Sequence, residues 1–195
     1  MIYAIGIIIS YLLGSIPFGL LLTKLAGKGD LRKVGSGNIG ATNVMRVGGL
    51  KLAGLVWILD MAKSIAAVWL GYSLSGEGFA AWCGFASIFA HCYPVWLKFK
   101  GGKGNSSMFG VLLAISPFSF VIIGIEWLLI AFTTGFSSAG AVVGFLVLPF
   151  LGFAIGTTAG WAFVAIAALC LWRHRENIKR LLKGTESKIE WKWQK

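Results

Sequence analysis

Long apolar stretches alternate with short basic ones along the 195 residues of this chain. Several of them reach the length of about 20 residues that a helix needs to cross the hydrocarbon core of a membrane. The first carries no cleavage signal, so we interpret it as a retained membrane span with a kink at Gly14 and Pro17. In chain order the apolar stretches cover residues 2–23, 52–74, 79–97, 108–132 and 139–171.

Two of these stretches contain residues that interrupt helices. Residues 108–132 contain Pro117, and residues 139–171 contain Pro149 followed by three glycines. Proline removes a backbone donor and its ring clashes with the preceding turn, so we predict that each stretch forms two helices. The composition excludes a soluble domain, because 57% of residues are hydrophobic and only 13% are charged.

The basic residues determine how many times the chain crosses the membrane. Of the 18 Lys and Arg residues, 17 lie in residues 24–51, in residues 98–107 or in the tail that begins at Arg173, whereas Lys63 lies in a span. Because basic loops stay in the cytoplasm, the amino terminus lies outside and the carboxyl terminus is cytoplasmic. An odd number of crossings follows. We predict one all-α integral membrane domain, residues 1–195, with seven transmembrane helices, several short or kinked.

The ionisable residues within the apolar stretches indicate a structural role in preference to a catalytic one. Asp60 and Lys63 stand three residues apart in one predicted span, which favours an ion pair over a substrate role. His91, close to Pro94, is more typical of a packing histidine than of a catalyst. The three cysteines are widely spaced and form no CxxC pair or Cys/His cluster, so we expect no metal site.

The first basic loop is rich in glycine and in short polar side chains. Gly35, Gly37 and Gly40 match the pattern GxGxxG, but they follow a membrane span and not a strand, which excludes a dinucleotide fold. The glycines allow backbone N–H groups to approach an anion, and the alternative is an ordinary capped turn. The polar donors of the loop are Ser36, Asn38, Thr42, Asn43 and Arg46.

The second basic loop places Lys103 between glycines. It resembles a Walker A loop only in part, because Gly104 stands where that motif needs Ser or Thr. A glycine-flanked lysine at a helix start still suits an anion, whereas the alternative is a basic turn at the membrane surface.

In the third region, residues 173–184, His174 and Asn177 share one helix face, and the alternative is a helix that binds anionic lipids.

These three regions together resemble a known family. The sequences GSGNIGATNVMR, FKGGKG and RHRENIKRLLKG occur in this order, separated by apolar stretches, and Asp60 to Lys63 and His91 to Pro94 extend the match. They resemble the motifs of the bacterial acyl-phosphate:glycerol-3-phosphate acyltransferases, the PlsY type. The resemblance implies a seven-span protein of the bacterial cytoplasmic (inner) membrane with its active site on the cytoplasmic side. It also implies acyl transfer from acyl phosphate to the sn-1 hydroxyl of glycerol 3-phosphate, giving lysophosphatidic acid, the first acylation of phospholipid synthesis.

The resemblance also implies roles for individual residues. The catalytic residues would be Ser36, Arg46, Lys103, His174 and Asn177, with Glu176 in a supporting position. The residues that bind substrate phosphate would be Gly35, Gly37, Asn38, Gly40, Thr42, Asn43, Gly101, Gly102, Gly104, Ser107 and Ser138. The chain departs from the family pattern at Asn105 and Ser106, which are more polar than usual, and at Gly135-Phe136, where a basic-aromatic pair is common.

The residue types favour direct acyl transfer without a covalent intermediate. No Ser-His-Asp or Cys-His arrangement is visible, and no histidine is followed by aspartate at the His-x4-Asp spacing of other glycerolipid acyltransferases. We therefore expect substrate-assisted attack, with membrane lipids, acyl phosphate and glycerol 3-phosphate as partners. We expect no nucleic acid, cofactor, metal or obligate protein partner. The alternatives are a transporter of organic phosphates and a protein that binds anionic lipids.

Overall fold

The computed structural model describes residues 1–189, and its regular elements are helices and short 3₁₀ turns. No strand occurs within this range, in agreement with the predicted all-α class. The last two cations of the predicted basic tail, Lys192 and Lys195, lie outside the described residues. The helices are α1 (Ile2–Gly14), α2 (Phe18–Leu25), α3 (Ala41–Cys92), α4 (Asn105–Ile115), α5 (Pro117–Thr134), α6 (Ser137–Ile155), α7 (Thr157–Arg173) and α8 (Arg175–Leu182).

Both long apolar stretches are divided, as the sequence predicts. α4 ends at Ile115, and α5 begins at Pro117, whose fixed φ suits the first helical position. The hydroxyl of Ser116 caps α5. The second division falls at Gly156, between α6 and α7, whereas Pro149 remains inside α6.

The 52-residue run α3 contains two bends. Its backbone leaves helical geometry at Gly49 (φ 82°) and at Ser75 and Gly76, where Gly76 has φ 74°. Glycine adopts such positive φ angles at little cost, which explains its place at both bends. The second bend separates the two spans that the sequence predicts on either side of it.

Three helix ends differ from the approximate ends of the predicted loops. The first basic loop is shorter than predicted, because α3 begins at Ala41 and not after Lys51. In the predicted span 79–97 the α-helix ends at Cys92, because the residue before Pro94 is disfavoured in the helical conformation. The short 3₁₀ turn Val95–Leu97 completes the candidate span. α4 begins at Asn105, inside the predicted second loop.

The exterior of the helices is apolar. Within residues 1–189, four helical segments are long and apolar enough to cross a membrane: Ile2–Leu25, Ala41–Leu97, Pro117–Thr134 and Ser137–Ile155. α4 and α7 are also apolar but shorter, at 11 and 17 residues. An apolar exterior suits contact with lipid tails rather than with water. Large side chains that are more than half-exposed include Ile8, Trp69, Phe118, Leu129, Phe150 and Trp161.

The interior is packed where α3, α4, α6 and α7 meet, and glycines bring the backbones close together. A Cβ on Gly110 of α4 would collide with the backbone of Met61, and one on Gly14 of α1 would collide with that of Ser87. Small residues at helix contacts are the usual means of close packing in membrane proteins. The largest buried side chains include Met108, Phe145, Leu148, Phe163 and Ile166.

A buried charge cluster ties the first span to α3. Lys63 Nζ lies 2.7 Å from Asp60 Oδ1 and donates to the carbonyl oxygen of Ile16 at 2.9 Å and to His91 Nδ1 at 3.0 Å. The Asp60 and Lys63 side chains are 1% and 2% exposed. The predicted ion pair is therefore present, and it also supplies a partner to a carbonyl at the break between α1 and α2.

We predict that Lys63→Met lowers the free energy of unfolding by about 3 kcal/mol, because it leaves the Asp60 carboxylate buried without its cation. The double variant Asp60→Leu/Lys63→Met should recover most of this loss. Thermal unfolding in detergent measures both, and Lys28→Met, at an exposed position, is the control. A double variant as unstable as the single one would contradict the ion-pair explanation.

Candidate active site

Asn43, in the first turn of α3, organises the glycine-rich loop that precedes it. Its Nδ2 donates to the carbonyl oxygens of Leu31, Val34 and Asn38 at 2.8 to 3.2 Å, and its Oδ1 accepts from the backbone N–H of Ser36 at 2.9 Å. The amide is therefore fully used within the loop. Asn43 therefore shapes this loop, and its direct contact with a phosphate stays a prediction.

Two glycines allow the loop to close around that amide. Gly35 and Gly37 have φ angles of 61° and 69°, and a Cβ on Gly35 would collide with Oδ1 of Asn43. Neither glycine lines the cavity described below. Their positions explain the turn, and their direct contact with a phosphate stays a prediction.

The second loop folds back against the end of α3. The backbone N–H of Gly102 donates to the carbonyl oxygen of His91 at 3.0 Å, and that of Gly101 donates to Cys92 at 3.1 Å. A side chain on either glycine would collide with this end of α3. Both glycines thus serve close packing, and the packing determines where Lys103 leaves the loop.

Arg173, at the end of α7, fastens the same loop from the other side. Its Nε and Nη2 donate to the carbonyl oxygens of Gly102 and Gly101 at 3.0 and 2.9 Å. The guanidinium also lies over the ring of Tyr93, 5.0 Å from its centroid. The sequence placed this arginine in a basic tail without a specific role, and the structure gives it a positioning role.

His174 lies between α7 and α8 with one ring nitrogen already committed. Its Nδ1 donates to the carbonyl oxygen of Cys170 at 2.8 Å. Because a carbonyl oxygen only accepts, Nδ1 carries the proton and Nε2 of the neutral ring is an acceptor. Burial lowers the pKa of His174 to about 4, so the ring is neutral at physiological pH.

Lys103, Asn177 and Glu186 form a chain of hydrogen bonds. Lys103 Nζ donates to Asn177 Oδ1 at 2.5 Å, and Asn177 Nδ2 donates to Glu186 Oε1 at 2.7 Å. Ser138 Oγ donates to the same carboxylate oxygen at 2.8 Å, and Arg180 Nε donates to the other one at 2.7 Å. The second loop, α6 and α8 are thus joined through one carboxylate.

The environment of Lys103 disfavours its charged form. Burial is the main cause, and the nearby cation of Arg180 adds to it, so the pKa of Lys103 falls to about 8. A second anion close to Nζ would stabilise the ammonium. The site is therefore short of negative charge around this lysine.

These elements enclose a cavity of about 630 Å³. All five predicted catalytic residues line it, and so do six of the predicted phosphate-binding residues. Those six are Asn38, Gly40, Thr42, Asn43, Gly104 and Ser138. The wall along α3, α4 and α5 is apolar and includes Trp57, Phe109, Phe120, Val121, Ile125 and Leu128.

The remaining predicted phosphate-binding residues do not line this cavity: Gly35, Gly37, Gly101, Gly102 and Ser107. Ser107 is fully buried, and its hydroxyl faces the carbonyl oxygen of Asp60. Its neighbours Asn105 and Ser106, where the chain departs from the family pattern, do line the cavity. The polar departures therefore lie in the site itself.

The cavity-lining residues that the sequence analysis did not single out include two charged ones and a serine, namely Arg180, Glu186 and Ser187. Arg180 stands three residues after Asn177, so the shared helix face could have indicated it. Glu186 and Ser187 follow α8, and Ser187 Oγ accepts from Arg46 Nη2 at 3.0 Å. No local pattern marks these two, because their partners are distant in sequence.

Comparison with known proteins identifies the family. The family model described as glycerol-3-phosphate acyltransferase matches residues 4–184. A glycerol-3-phosphate acyltransferase of Rhizobium etli is 50% identical over 184 residues, which are 93% of this chain and 89% of that protein. One from Agrobacterium fabrum is 46% identical over 187 residues, 95% of this chain and 91% of that protein.

Solved structures agree with the sequence relatives. The crystal structure of PlsY (YgiH), an integral membrane glycerol 3-phosphate acyltransferase, in its glycerol 3-phosphate form has a TM-score of 0.91 and 37% identity, with 96% of each chain covered. Its lysophosphatidic acid form has a TM-score of 0.88 and 36% identity, covering 95% of this chain and 94% of that one. This chain, a bacterial membrane protein, therefore belongs to the glycerol-3-phosphate acyltransferase family.

Proposed function

We propose that the chain transfers a fatty acyl group from acyl phosphate to the sn-1 hydroxyl of glycerol 3-phosphate. The products are lysophosphatidic acid and inorganic phosphate, and the reaction is the first acylation of phospholipid synthesis. One observation carries the proposal: a single cavity joins three cationic side chains to a long apolar wall. A donor that is a fatty chain ending in a phosphate needs both surfaces at once.

The cationic end suits two phosphate groups. Arg46, Lys103 and Arg180 all line the cavity. Each arginine offers a planar pair of donors, and the lysine offers a compact positive charge. Acyl phosphate and glycerol 3-phosphate each bring an anion to this end, and nearby cations offset the repulsion between them.

A direct attack balances without an acyl-enzyme. The sn-1 oxygen attacks the acyl carbonyl carbon, the bond from that carbon to the phosphate oxygen breaks, and the hydroxyl proton passes to a substrate phosphate oxygen. Lys103 and the loop donors stabilise the negative charge that develops on the carbonyl oxygen and on the leaving phosphate. Phosphate leaves readily, so the step requires no metal and no other cofactor.

His174 orients the acceptor in this scheme. Its Nδ1–H is held by Cys170, which leaves Nε2 to accept a hydrogen bond from the other hydroxyl of glycerol 3-phosphate, at sn-2, so that the sn-1 proton remains available to the substrate phosphate. Asn177 holds Lys103 beside it. We propose that these contacts position glycerol 3-phosphate and that the substrate phosphate is the base.

Ser36 acts as a donor to substrate in this proposal and not as a nucleophile. It lines the cavity, and its backbone N–H is held by Asn43. A serine nucleophile needs a base beside it, and among the described residues no histidine is hydrogen-bonded to its hydroxyl. Trapping of an acyl ester on Ser36 would contradict this assignment.

The proposed topology has seven crossings with a cytoplasmic active site. The crossings are α1 with α2, the two long parts of α3, and α4 to α7. The three basic regions then lie on one side, as the distribution of cations requires. In this arrangement both substrates reach the site from the cytoplasm or the inner leaflet, without an obligate protein partner.

We predict that the purified protein forms lysophosphatidic acid from palmitoyl phosphate and labelled glycerol 3-phosphate, and forms none from acyl-CoA. Lys103→Met should lower kcat/KM by about 100-fold or more, because it removes a donor to developing charge. Lys98→Met, in the same loop with an exposed side chain, is the matched control and should change little. Flux of glycerol 3-phosphate into vesicles without product would instead indicate a transporter.

The pH dependence should reflect the pKa values of Lys103 and His174. Lys103 loses its charge as the pH rises through about 8, so kcat/KM should fall on the alkaline side there. Arg180→Gln should move this fall to higher pH, because it removes a cation near the ammonium. His174, with a pKa of about 4, should contribute no acid limb above about pH 5. An acid limb of kcat that disappears in His174→Gln, while glycerol 3-phosphate still binds, would make His174 the base.

Cysteine labelling tests the topology. The native cysteines are buried and should react slowly with an impermeant maleimide. In intact spheroplasts Glu77→Cys should be labelled, whereas Lys28→Cys and Lys183→Cys should react only after lysis. Labelling of Lys183→Cys from outside, with Lys28→Cys still protected until lysis, would exclude an odd number of crossings.

A further inference from the structure

The residues that follow α8 turn back over the cavity. α8 is followed by Gly184, which has a φ of 67° and open space where a Cβ would be. The chain then runs without helix or strand over residues 185–189, which we call the C-terminal strap. Its far end is held at the turn between α5 and α6, where the N–H of Ile189 donates to the carbonyl oxygen of Gly135 at 2.8 Å.

The carboxylate of Glu186 is the strap's main contact with the cavity. It accepts from Ser138 and Asn177 on one oxygen and from Arg180 on the other, all within 2.8 Å. The Glu186 side chain is only 5% exposed. A hydroxyl, an amide and a guanidinium around one planar anion are also the donors with which proteins hold phosphate groups.

The groups that hold Glu186 are also groups that we expect to act on the substrates. The sequence resemblance assigns Ser138 to phosphate binding and Asn177 to catalysis, and Arg180 lines the same cavity as one of its three cations. A substrate phosphate that approaches this point meets a carboxylate already in place, and the two anions repel each other. The strap also lies beyond the residues 4–184 that the family model matches.

Building on the proposed function, we propose that Glu186 is an internal stand-in for a substrate phosphate. A phosphate monoester binds by displacing the carboxylate from Ser138, Asn177 and Arg180, and the strap moves away by rotation about Gly184.

The other contacts of the strap fit this exchange. Ser187 holds the guanidinium of Arg46 at 3.0 Å, so withdrawal of the strap frees both Arg46 and Arg180 for a ligand. Although partial burial raises the pKa of Glu186, the hydrogen bonds from Asn177, Ser138 and Arg180 lower it overall. The carboxylate is therefore ionised at neutral pH and competes as an anion.

Binding measurements on the full chain in nanodiscs test the exchange without turnover. Glu186→Gln should tighten the Kd of glycerol 3-phosphate about threefold to tenfold, because the bound state no longer has to displace an anion. Inorganic phosphate, glycerol 3-phosphate and palmitoyl phosphate are titrated separately, and the ligand with the largest change identifies whose phosphate takes the subsite. Glu186→Asp keeps the charge and should tighten binding less. Glu77→Gln makes the same chemical change on an exposed residue outside the cavity and should change none of the Kd values.

A second variant reports the movement itself. Ile189 is 5% exposed in the closed strap. In Ile189→Cys, the rate of reaction with a maleimide should rise when glycerol 3-phosphate is added. The buried native cysteines provide a slow background, measured on the parent protein.

Unchanged or weaker binding in a folded Glu186→Gln variant, together with a lower kcat, would overturn the proposal and make Glu186 a positioning residue for Asn177. A labelling rate of Ile189→Cys that does not respond to ligand would overturn it as well. The two proposals fail separately. If Glu186→Gln binds phosphate more tightly but the protein transfers no acyl group from acyl phosphate, only the proposed acyl donor is wrong. If acyl transfer occurs but the Kd values are unaltered in Glu186→Gln, only the proposed role of the strap is wrong.

Discussion

The buried ammonium of Lys63 holds together the parts of the chain that build the site. It bonds to the carbonyl of Ile16 at the break in the first span, pairs with Asp60, and fixes the ring of His91 near the end of α3. Gly102 packs directly on that ring, so the lysine that follows it is placed by the same contacts. Lone charges are costly within a membrane, and each partner of this cation is therefore strongly constrained in position. The geometry of the cavity therefore depends on the charge of Lys63, a residue that does not line it.

Much of the fold could be predicted because its causes are local. Apolar length indicates a membrane helix, since a chain in lipid must satisfy its own backbone hydrogen bonds. Pro117 divided one stretch at the predicted residue because its ring fits a helix start and not a helix middle. Pro149 shows the limit of that rule, since it stays inside α6 while the break falls at Gly156. Packing of neighbouring helices decides which interruption becomes a break.

The candidate site could be predicted as a set of loops but not as a set of contacts. Its glycines, cations and short polar residues indicate anion handling by composition alone. Whether an individual residue faces the ligand depends on partners far along the chain. Asn43 turns inward to its own loop, Ser107 turns to Asp60, and Glu186 reaches back to Ser138. Such orientations follow from tertiary packing, which a single sequence does not display.

The shortness of α4 has a consequence for where the reaction takes place relative to the bilayer. Its 11 residues rise only about 16 Å, whereas the hydrocarbon core of a bilayer is about 30 Å thick. The helix begins directly after Gly104, at the cationic end of the cavity. If α4 ends level with its neighbours on the far side, that end lies well below the headgroups. Water and a small polar acceptor then descend to a fatty substrate, and the fatty chain need not be lifted out of the membrane. The cavity would then extend into the leaflet, with the cationic residues at its base and its apolar side open to lipid.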